Sequence, residues 1–339
     1  MKFSKVIIKM IVLSLILFSC NNEPGKHTTT ATEKEKSSVP EKATTFNADS
    51  AYAFVKAQVG FGPRVNNTPA HEKCGNYLEK KLKEYCTDVI IQQGQVKAFN
   101  GTLLKFRNFI ASYNPGTNNR IFICSHWDSR PWADHDPDKA KRRTAIDGAN
   151  DGASGVGIIL EIARQLSLSK PATGVDLLLL DAEDYGPPED TKQPGEDTSD
   201  WWALGSQYWA KHPHKDNYYA KFGILLDMVG APHATFLQEG ISMHYAPGVV
   251  RSIWEVASRI GFSDYFLFNP GDQITDDHVC INQILGIPTI DMIDLRQQPD
   301  GRTPFYPYWH TTKDDINSID KNTLNAVGMT LMEVINEQK

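Results

Sequence analysis

The folded part of the chain alternates between short, continuous apolar runs and longer segments with apolar residues at helical spacing. The runs cover residues 109–113, 120–124, 175–180, 222–226 and 289–293, and the helical patterns cover 68–85, 155–167, 203–211, 248–260, 278–285 and 324–334. Continuous rather than alternating hydrophobicity is typical of strands that are covered on both faces. The order of elements predicts one α/β domain over residues 46–339, a three-layer α/β/α sandwich with a mixed, mostly parallel central sheet.

The first 45 residues follow a different pattern. Three lysines precede an apolar run over 11–18, which is too short to cross a bilayer and is followed by a small residue, Ser19, and then Cys20. This predicts a signal peptide over 1–19, and its ending resembles a bacterial lipobox, which implies lipidation of Cys20. Residues 20–45 lack periodic apolar positions and are predicted to be a flexible tether. We therefore expect a lipoprotein anchored in the bacterial cell envelope; a plain secretory signal is the alternative.

Composition and charge narrow the function classes. The 339 residues are 40% hydrophobic and 22% charged, which is ordinary for a globular protein and excludes collagen-like, coiled-coil and wholly disordered chains. Seven of the 35 Lys and Arg and four of the 41 Asp and Glu fall in 1–45, so the remainder has 28 basic and 37 acidic residues and a net charge of −9. A nucleic-acid partner is therefore not expected. Cys74 and Cys86 lie on one apolar helix stripe and are predicted to be buried structural thiols.

Ionisable residues follow the ends of several predicted strands. His126 and Asp128 come after one strand, Glu183 and Asp184 after the next, and Asp227 after a third. In open α/β sheets, ligands bind beyond the carboxyl ends of the strands. Since buried charges are costly without partners, we expect these groups to be paired, solvated or bound to a metal.

Two further segments supply candidate ligands. Asp151 lies in a glycine-rich turn over 148–155 that enters a helix, but this turn lacks both the Walker lysine and the dinucleotide glycine spacing, so phosphate binding is not favoured. His310 follows an aromatic loop late in the chain. A set of histidines and carboxylates at strand ends is typical of a metal site. Asp134 and the acidic stretch 189–200 are interpreted as solvated loop charges.

Seven short motifs occur in the order of a known family. They are Gly62-Pro63-Arg64, His126-Trp127-Asp128-Ser129, the turn 148–155, Asp181-Ala182-Glu183-Asp184-Tyr185-Gly186, Leu226-Asp227-Met228-Val229-Gly230, Asp277-His278 and His310-Thr311. Together they resemble the zinc-dependent exopeptidases with two co-catalytic metals, over about residues 50–335.

Other details are more similar to the animal-type glutaminyl-peptide cyclotransferases (glutaminyl cyclases) of the same superfamily. Asp276 stands where the peptidases usually carry serine, Trp309 precedes the histidine ligand, and Phe305 falls where the cyclases place a pocket aromatic. The segment Gly230-Ala231-Pro232, which follows the strand of Asp227, is also similar to the cyclases. The chain therefore resembles a bacterial glutaminyl cyclase.

The resemblance implies roles for individual residues. One zinc would be held by Asp151, Asp184 and His310, although the family usually has glutamate at the second position. Glu183 would be the general acid/base, and Asp227 and Asp276 would share a proton. Trp309 and Phe305 would form the substrate pocket, while loop 187–202 departs from the animal sequences, so that its pocket tryptophan is unassigned.

The implied reaction is cyclisation of N-terminal glutamine in peptides or proteins to pyroglutamate, with release of ammonia, by a protein expected to be monomeric. The first alternative is an aminopeptidase with two zincs, in which His126 and Asp227 bind the second metal. A catalytically dead peptide-binding lipoprotein is the other. Metal content and the mass of the product distinguish these hypotheses.

Overall fold

A computed structural model describes residues 45–169, 171–193, 195–296 and 303–338. The predicted signal peptide, Cys20 and nearly all of the tether lie outside the described residues. The helices are α1 (Ala48–Val59), α2 (Pro69–Tyr85), α3 (Ala153–Leu168), α4 (Leu204–Lys211), α5 (Gly240–Tyr245), α6 (Pro247–Arg259), α7 (Asp277–Cys280) and α8 (Lys321–Glu337). The strands are β1 (Val89–Lys97), β2 (Leu103–Tyr113), β3 (Arg120–His126), β4 (Gly174–Leu180), β5 (Gly223–Asp227), β6 (Phe236–Gln238), β7 (Phe266–Pro270) and β8 (Thr289–Ile293).

Six strands form the central sheet in the order β1-β2-β4-β3-β5-β8. The two pairs that involve β2 are antiparallel, whereas β4, β3, β5 and β8 run parallel to one another. The parallel strands therefore deliver their carboxyl ends to one edge of the sheet, where β3 ends at His126 and β5 ends at Asp227. A separate two-stranded sheet pairs β6 with β7.

Both faces of the central sheet are covered by helices. Ile121 and Ile123 of β3 pack in the core that includes α1, α2, α3, α6 and α8. Phe122 and Cys124 point to the opposite face, where Trp209 of α4 and Ile281, in the π-helical turn after α7, cover them. Successive strand residues point to opposite faces, so a strand buried on both sides must be apolar at every position. The predicted three-layer α/β/α sandwich with a mixed, mostly parallel sheet is confirmed.

Each of the five predicted strand segments overlaps a strand of the sheet, and each predicted helical pattern overlaps a helix. Thr68 caps α2 by accepting a hydrogen bond from the backbone N–H of His71, with Pro69 at the first helical position. The predictions missed α1, α5, β1, and the pair β6 and β7. Strand β1 lies at the sheet edge and carries exposed polar positions, and β6 has three residues, so neither shows a continuous apolar run.

Among the described residues, every helix is too short or too polar to span a membrane. Cys74 and Cys86 are buried and unpaired, as predicted. The carboxyl-terminal helix α8 buries Leu324, Val327, Leu331 and Val334. The elements that surround the carboxyl edge of β3, β4 and β5 carry the candidate site.

Candidate metal centre and active site

The sheet brings the predicted site residues together at one edge. In the parallel pairing of β3 with β4, His126 lies opposite Leu180, so Glu183 and Asp184 continue from the strand next to His126. Asp227 ends β5 on the other side of β3. Asp151 reaches the same edge from the glycine-rich turn before α3. The strand order therefore explains why residues distant in sequence converge.

Asp151, Asp184 and His310 form a buried cluster, in which one ligand atom of each lies within 4.8 Å of the others. The His310 Nε2 atom is 3.5 Å from Asp151 Oδ2 and 3.5 Å from Asp184 Oδ1. The Oδ2 atom of Asp184 is buried and has no hydrogen-bond partner within the described part of the chain. Two buried carboxylates and an imidazole that converge without saturating one another fit a divalent cation, and this oxygen and nitrogen donor set suits zinc.

Asp151 also belongs to a second cluster, with His126 and Asp227. Here His126 Nε2 is 3.0 Å from Asp151 Oδ1 and 3.2 Å from Asp227 Oδ1. The two oxygens of Asp151 thus face different histidines, His126 on one side and His310 on the other. The geometry brings together the residues predicted for the first metal and those predicted for a second.

The acids at this edge have strongly perturbed pKa values. Burial, followed by the neighbouring Asp151 carboxylate, raises the pKa of Asp184 to about 6. Burial also raises the pKa of Glu183 well above its ordinary value, and the nearby Asp184 and Asp276 carboxylates add to that effect. A buried glutamate with a raised pKa can both accept and return a proton near neutral pH.

Asp276 lies close enough to Asp227 for their charges to interact. Burial, followed by the Asp227 carboxylate, raises the pKa of Asp276 well above its ordinary value. One Asp276 oxygen accepts a hydrogen bond at 2.5 Å from the backbone N–H of Asp277, the first residue of α7. Each of two neighbouring carboxylates makes ionisation of the other less favourable, which is compatible with the predicted shared proton. The shared proton stays a prediction.

These residues surround a cavity of about 400 Å³. Asp151, Glu183, Asp184, Asp227, Asp276 and His310 line it together with Phe305 and Trp309. The Phe305 and Trp309 rings are 4.6 Å apart at their centroids, and Trp309 stacks on His310 at 3.8 Å. His126 lies outside the lining, packed behind Asp151. The cavity therefore has a polar floor and an aromatic wall.

The backbone at the site is strained where it presents these side chains. Ala182 (φ 55°), Met228 (φ 49°) and His310 (φ 52°) adopt the left-handed conformation, and each lies at or next to a candidate site residue. Such positions cost on the order of 1–3 kcal/mol each and cluster at functional sites. Asp128 supports the same turn, because its carboxylate accepts hydrogen bonds from the backbone N–H groups of Glu183 and Asp184 at 3.1 and 3.2 Å.

Three residues at the site were not found from the sequence. Trp202 of loop 187–202 lines the cavity, and its ring is parallel to that of His310 with a centroid separation of 6.5 Å. Arg130 is 1% exposed and donates a hydrogen bond to Asp184 Oδ1 at 3.1 Å. Asp134 is 6% exposed, so its interpretation as a solvated loop charge is wrong: it pairs with Arg130 at 2.6 Å. A single charged residue in a loop gives no periodic signal, so the sequence alone did not identify Arg130 and Asp134 as site residues.

Comparison with known proteins agrees with this arrangement. The model of peptidase family M28 matches residues 108–335. The crystal structure of Bacteroides thetaiotaomicron glutaminyl cyclase bound to N-acetylhistamine is 49% identical, with a TM-score of 0.84, and the match covers 87% of this chain and 99% of that one.

Curated relatives are more distant. Glutaminyl-peptide cyclotransferase of Drosophila melanogaster is 22% identical over 298 residues, which cover 79% of this chain and 75% of the relative. Aminopeptidase YwaD of Bacillus subtilis is 25% identical over 213 residues, which cover 61% of this chain but only 38% of the relative.

The chain belongs to peptidase family M28. It is similar to glutaminyl cyclases as well as to the aminopeptidase, and the resemblance to glutaminyl cyclases predicted from the sequence motifs is confirmed. M28 membership and the clustered donors imply zinc. The ion count and the roles of the individual residues stay predictions.

Proposed function

We propose that this protein is a zinc-dependent glutaminyl-peptide cyclotransferase that converts N-terminal glutamine to pyroglutamate and releases ammonia. The observation that carries the proposal is a buried Glu183 with a raised pKa, next to a cluster of three candidate ligands, in a small cavity with an aromatic wall. The 49% identity to a solved glutaminyl cyclase supports it.

Asp151, Asp184 and His310 would hold the zinc. When bound there, the ion would act as a Lewis acid toward the γ-carboxamide oxygen of the substrate glutamine. The donor set fits this role because its two carboxylates and one imidazole would leave a position open for substrate. Asp128 keeps Asp184 in place through the backbone of the turn.

Glu183 moves the proton that the reaction requires. A bond forms between the α-amino nitrogen and the side-chain amide carbon, and the bond from that carbon to the amide nitrogen breaks. Glu183 accepts a proton from the attacking amine and delivers it to the departing nitrogen, so that ammonia leaves. Since nucleophile and leaving group belong to the same residue, the protein needs only to hold them in a reactive geometry.

The cavity walls bind and orient the glutamine side chain. Phe305 and Trp309 form one wall, and Trp202 lies across from His310. Apolar rings around a few polar groups exclude water and limit the pocket to one side chain. The remainder of the peptide would stay outside the cavity.

We also propose that one zinc suffices. In the second cluster, His126 lies at hydrogen-bond distance from Asp227 and at 3.0 Å from Asp151. A protonated imidazole there supplies the positive charge that both carboxylates require, without a second ion. The pairing of Asp227 with Asp276 would draw Asp227 further from metal binding.

Mass spectrometry of a peptide that begins with glutamine tests the reaction. After incubation we expect the peptide to lose the mass of one ammonia with every peptide bond intact. A matched peptide that begins with asparagine should remain unchanged, because its shorter side chain cannot close a five-membered ring through the same carbon. Shortening of either peptide by one residue contradicts the proposal.

A two-zinc aminopeptidase is the second candidate, because His126, Asp151 and Asp227 also form a group of potential ligands within 4.8 Å. This hypothesis predicts two zincs per chain and free amino acids from amino-acyl amides. Zinc content and amide hydrolysis, measured on the same preparation, separate it from the one-zinc cyclase.

For the amino terminus we propose a lipid anchor on Cys20 that holds the enzyme in the bacterial cell envelope. The support is the charged and apolar signal pattern that ends at this cysteine. We expect the unaltered protein in the membrane fraction and the Cys20→Ser variant in the soluble or secreted fraction. The same distribution for both proteins contradicts the anchor.

A further inference from the structure

Arg130 is a buried guanidinium beside the candidate zinc ligands, and the proposed reaction assigns it no task. Its Nε and Nη2 atoms donate to the two oxygens of Asp134 at 2.8 and 2.6 Å. Its Nη1 atom donates to Oδ1 and to the backbone oxygen of Asp184 at 3.1 and 3.2 Å. Nη2 also donates to the backbone oxygen of Pro187 at 3.3 Å. These acceptors occupy all five N–H donors of an arginine.

Asp134 also lies close to a second candidate ligand, His310. Its Oδ1 atom lies 3.4 Å from Nδ1 of His310. The other ring nitrogen of His310, Nε2, faces Asp151 and Asp184. Nδ1 makes no hydrogen bond within the described part of the chain, so the Asp134 carboxylate acts on it through charge: it favours a proton on Nδ1 and leaves the opposite nitrogen available to a metal.

We propose that Arg130 and Asp134 form a positioning pair that orients Asp184 and His310 for zinc. The inference rests on the ligand set of the proposed function. Arg130 engages Oδ1 of Asp184, and Oδ2 is then the carboxylate oxygen that lacks a hydrogen-bond partner among the described residues. The pair thus donates a hydrogen bond to one ligand, Asp184, and places a carboxylate beside the other, His310.

The same pair connects the ligands to loop 187–202. The Arg130 guanidinium lies 4.8 Å from the centroid of the Trp202 ring, and the backbone N–H of Glu189 donates to Asp134 Oδ2 at 2.9 Å. A lysine would keep the positive charge, but its three donors on a single nitrogen cannot reproduce a planar fork. Arg130→Lys therefore removes the geometry while it preserves the charge.

Strand β3 offers a matched control at its opposite end. Arg120 begins the strand, is buried, and forms a comparable two-point ion pair with Asp176 through Nε and through Nη2 at 3.1 Å. Its remaining donors reach the backbone oxygens of Tyr113, Asn114 and Thr117. Arg120→Lys thus damages an equivalent buried pair at the edge of the sheet away from the site.

The experiment measures the dissociation constant of zinc by competition with a fluorescent chelator. For Arg130→Lys we expect binding to weaken by about 10- to 100-fold, the usual effect of losing a group that orients a metal ligand. Arg120→Lys should lower the melting temperature and leave the zinc affinity of the folded protein unchanged. If Arg130→Lys fails to fold, Asp134→Asn replaces it, with weaker zinc binding again expected.

Three results overturn the inference. If Arg130→Lys, or Asp134→Asn in its place, binds zinc as tightly as the unaltered protein, the pair has a structural role only. The same conclusion follows if Arg120→Lys loses as much zinc affinity as Arg130→Lys. Zinc binding that is insensitive to Asp184→Asn overturns the ligand set and the inference together. By contrast, normal zinc binding without any cyclisation contradicts the proposed function and leaves the positioning pair standing.

Discussion

At the scale of single residues, Glu183 allows proton transfer to be tested separately from metal binding. It lines the same cavity as the ligand candidates without being one of them, and it is 9% exposed. Burial raises its pKa, so a neutral amide of the same shape should fit this position without disturbing the fold. The side chain can therefore be tested without dismantling the site.

We expect Glu183→Gln to lower kcat by about 10²–10⁴-fold, because the amide cannot carry the proton from the amine to the departing nitrogen. Zinc content and melting temperature should stay close to those of the unaltered protein. Turnover of a glutamine peptide and metal analysis on the same samples check both statements. Full activity in this variant would show that another group transfers the proton.

His214 supplies a pH-dependent contribution to stability and is not part of the cavity lining. Trp209 Nε1 donates a hydrogen bond to His214 Nδ1 at 3.2 Å, and burial lowers the pKa of His214 from 6.5 to about 4. The unfolded chain therefore binds a proton more readily than the folded one between these two values. Stability that is present above pH 6.5 is lost as the pH falls toward 4.

We expect His214→Asn to lose less stability than the unaltered protein as the pH falls. The loss of unfolding free energy should differ between the two by at most about 3 kcal/mol. Melting temperatures measured between pH 7 and about 4 report the effect. The exposed His244 provides the control, and His244→Asn should follow the unaltered protein. Parallel acid profiles for the His214 variant and the unaltered protein would contradict the assignment.

At the scale of elements, the close approach of α3 to the sheet aligns the glycine-rich turn with the strand ends. A Cβ atom on Gly155 would lie 2.4 Å from Ser125 Oγ of β3 and 2.6 Å from the backbone oxygen of Leu226 in β5. Gly152 caps the helix with φ 86°, and a Cβ there would meet the His126 ring at 2.8 Å. These glycines bring Asp151 against the sheet, which explains the motif without a phosphate ligand.

Gly155→Ala should destabilise the protein by about 1–3 kcal/mol, because a strand backbone atom cannot move aside as a flexible side chain can. The control is Gly248→Ala in α6, where an added Cβ meets no described atom within 4 Å. That change should be neutral or stabilising by up to about 1 kcal/mol, as helix propensity predicts. Denaturant unfolding compares the two. Equal stabilities would mean that α3 can retreat from the sheet.

The elements also show what the sequence can predict. Strands buried on both faces were found because each is a continuous apolar run, as in β3 and β4. Edge strand β1 was missed because its solvent-facing positions are polar. Ligand candidates such as Asp151 were found through motifs, whereas Arg130 was not, because its role depends on contacts with Asp134 and Asp184 that only the tertiary structure creates.

At the scale of the whole molecule, zinc should couple the strand ends to the carboxyl-terminal segment. Asp151 precedes α3, Asp184 follows β4, and His310 lies outside the sheet, so one ion would join three separate parts of the fold. Burial and the Asp151 carboxylate raise the pKa of Asp184, so a cation at this cluster would favour the charged form of the side chain. We therefore expect metal binding and stability to be linked.

We expect chelation to lower the melting temperature and added zinc to restore it, since a ligand that binds only the folded state stabilises it by about 4 kcal/mol at a thousand times its dissociation constant. The far-ultraviolet circular dichroism should change little, because the apolar cores on both sheet faces need no metal. Asp184→Asn should shift the zinc-dependent rise to higher concentration. A melting temperature that is indifferent to zinc in the unaltered protein would show that these three residues do not hold a structural and catalytic ion.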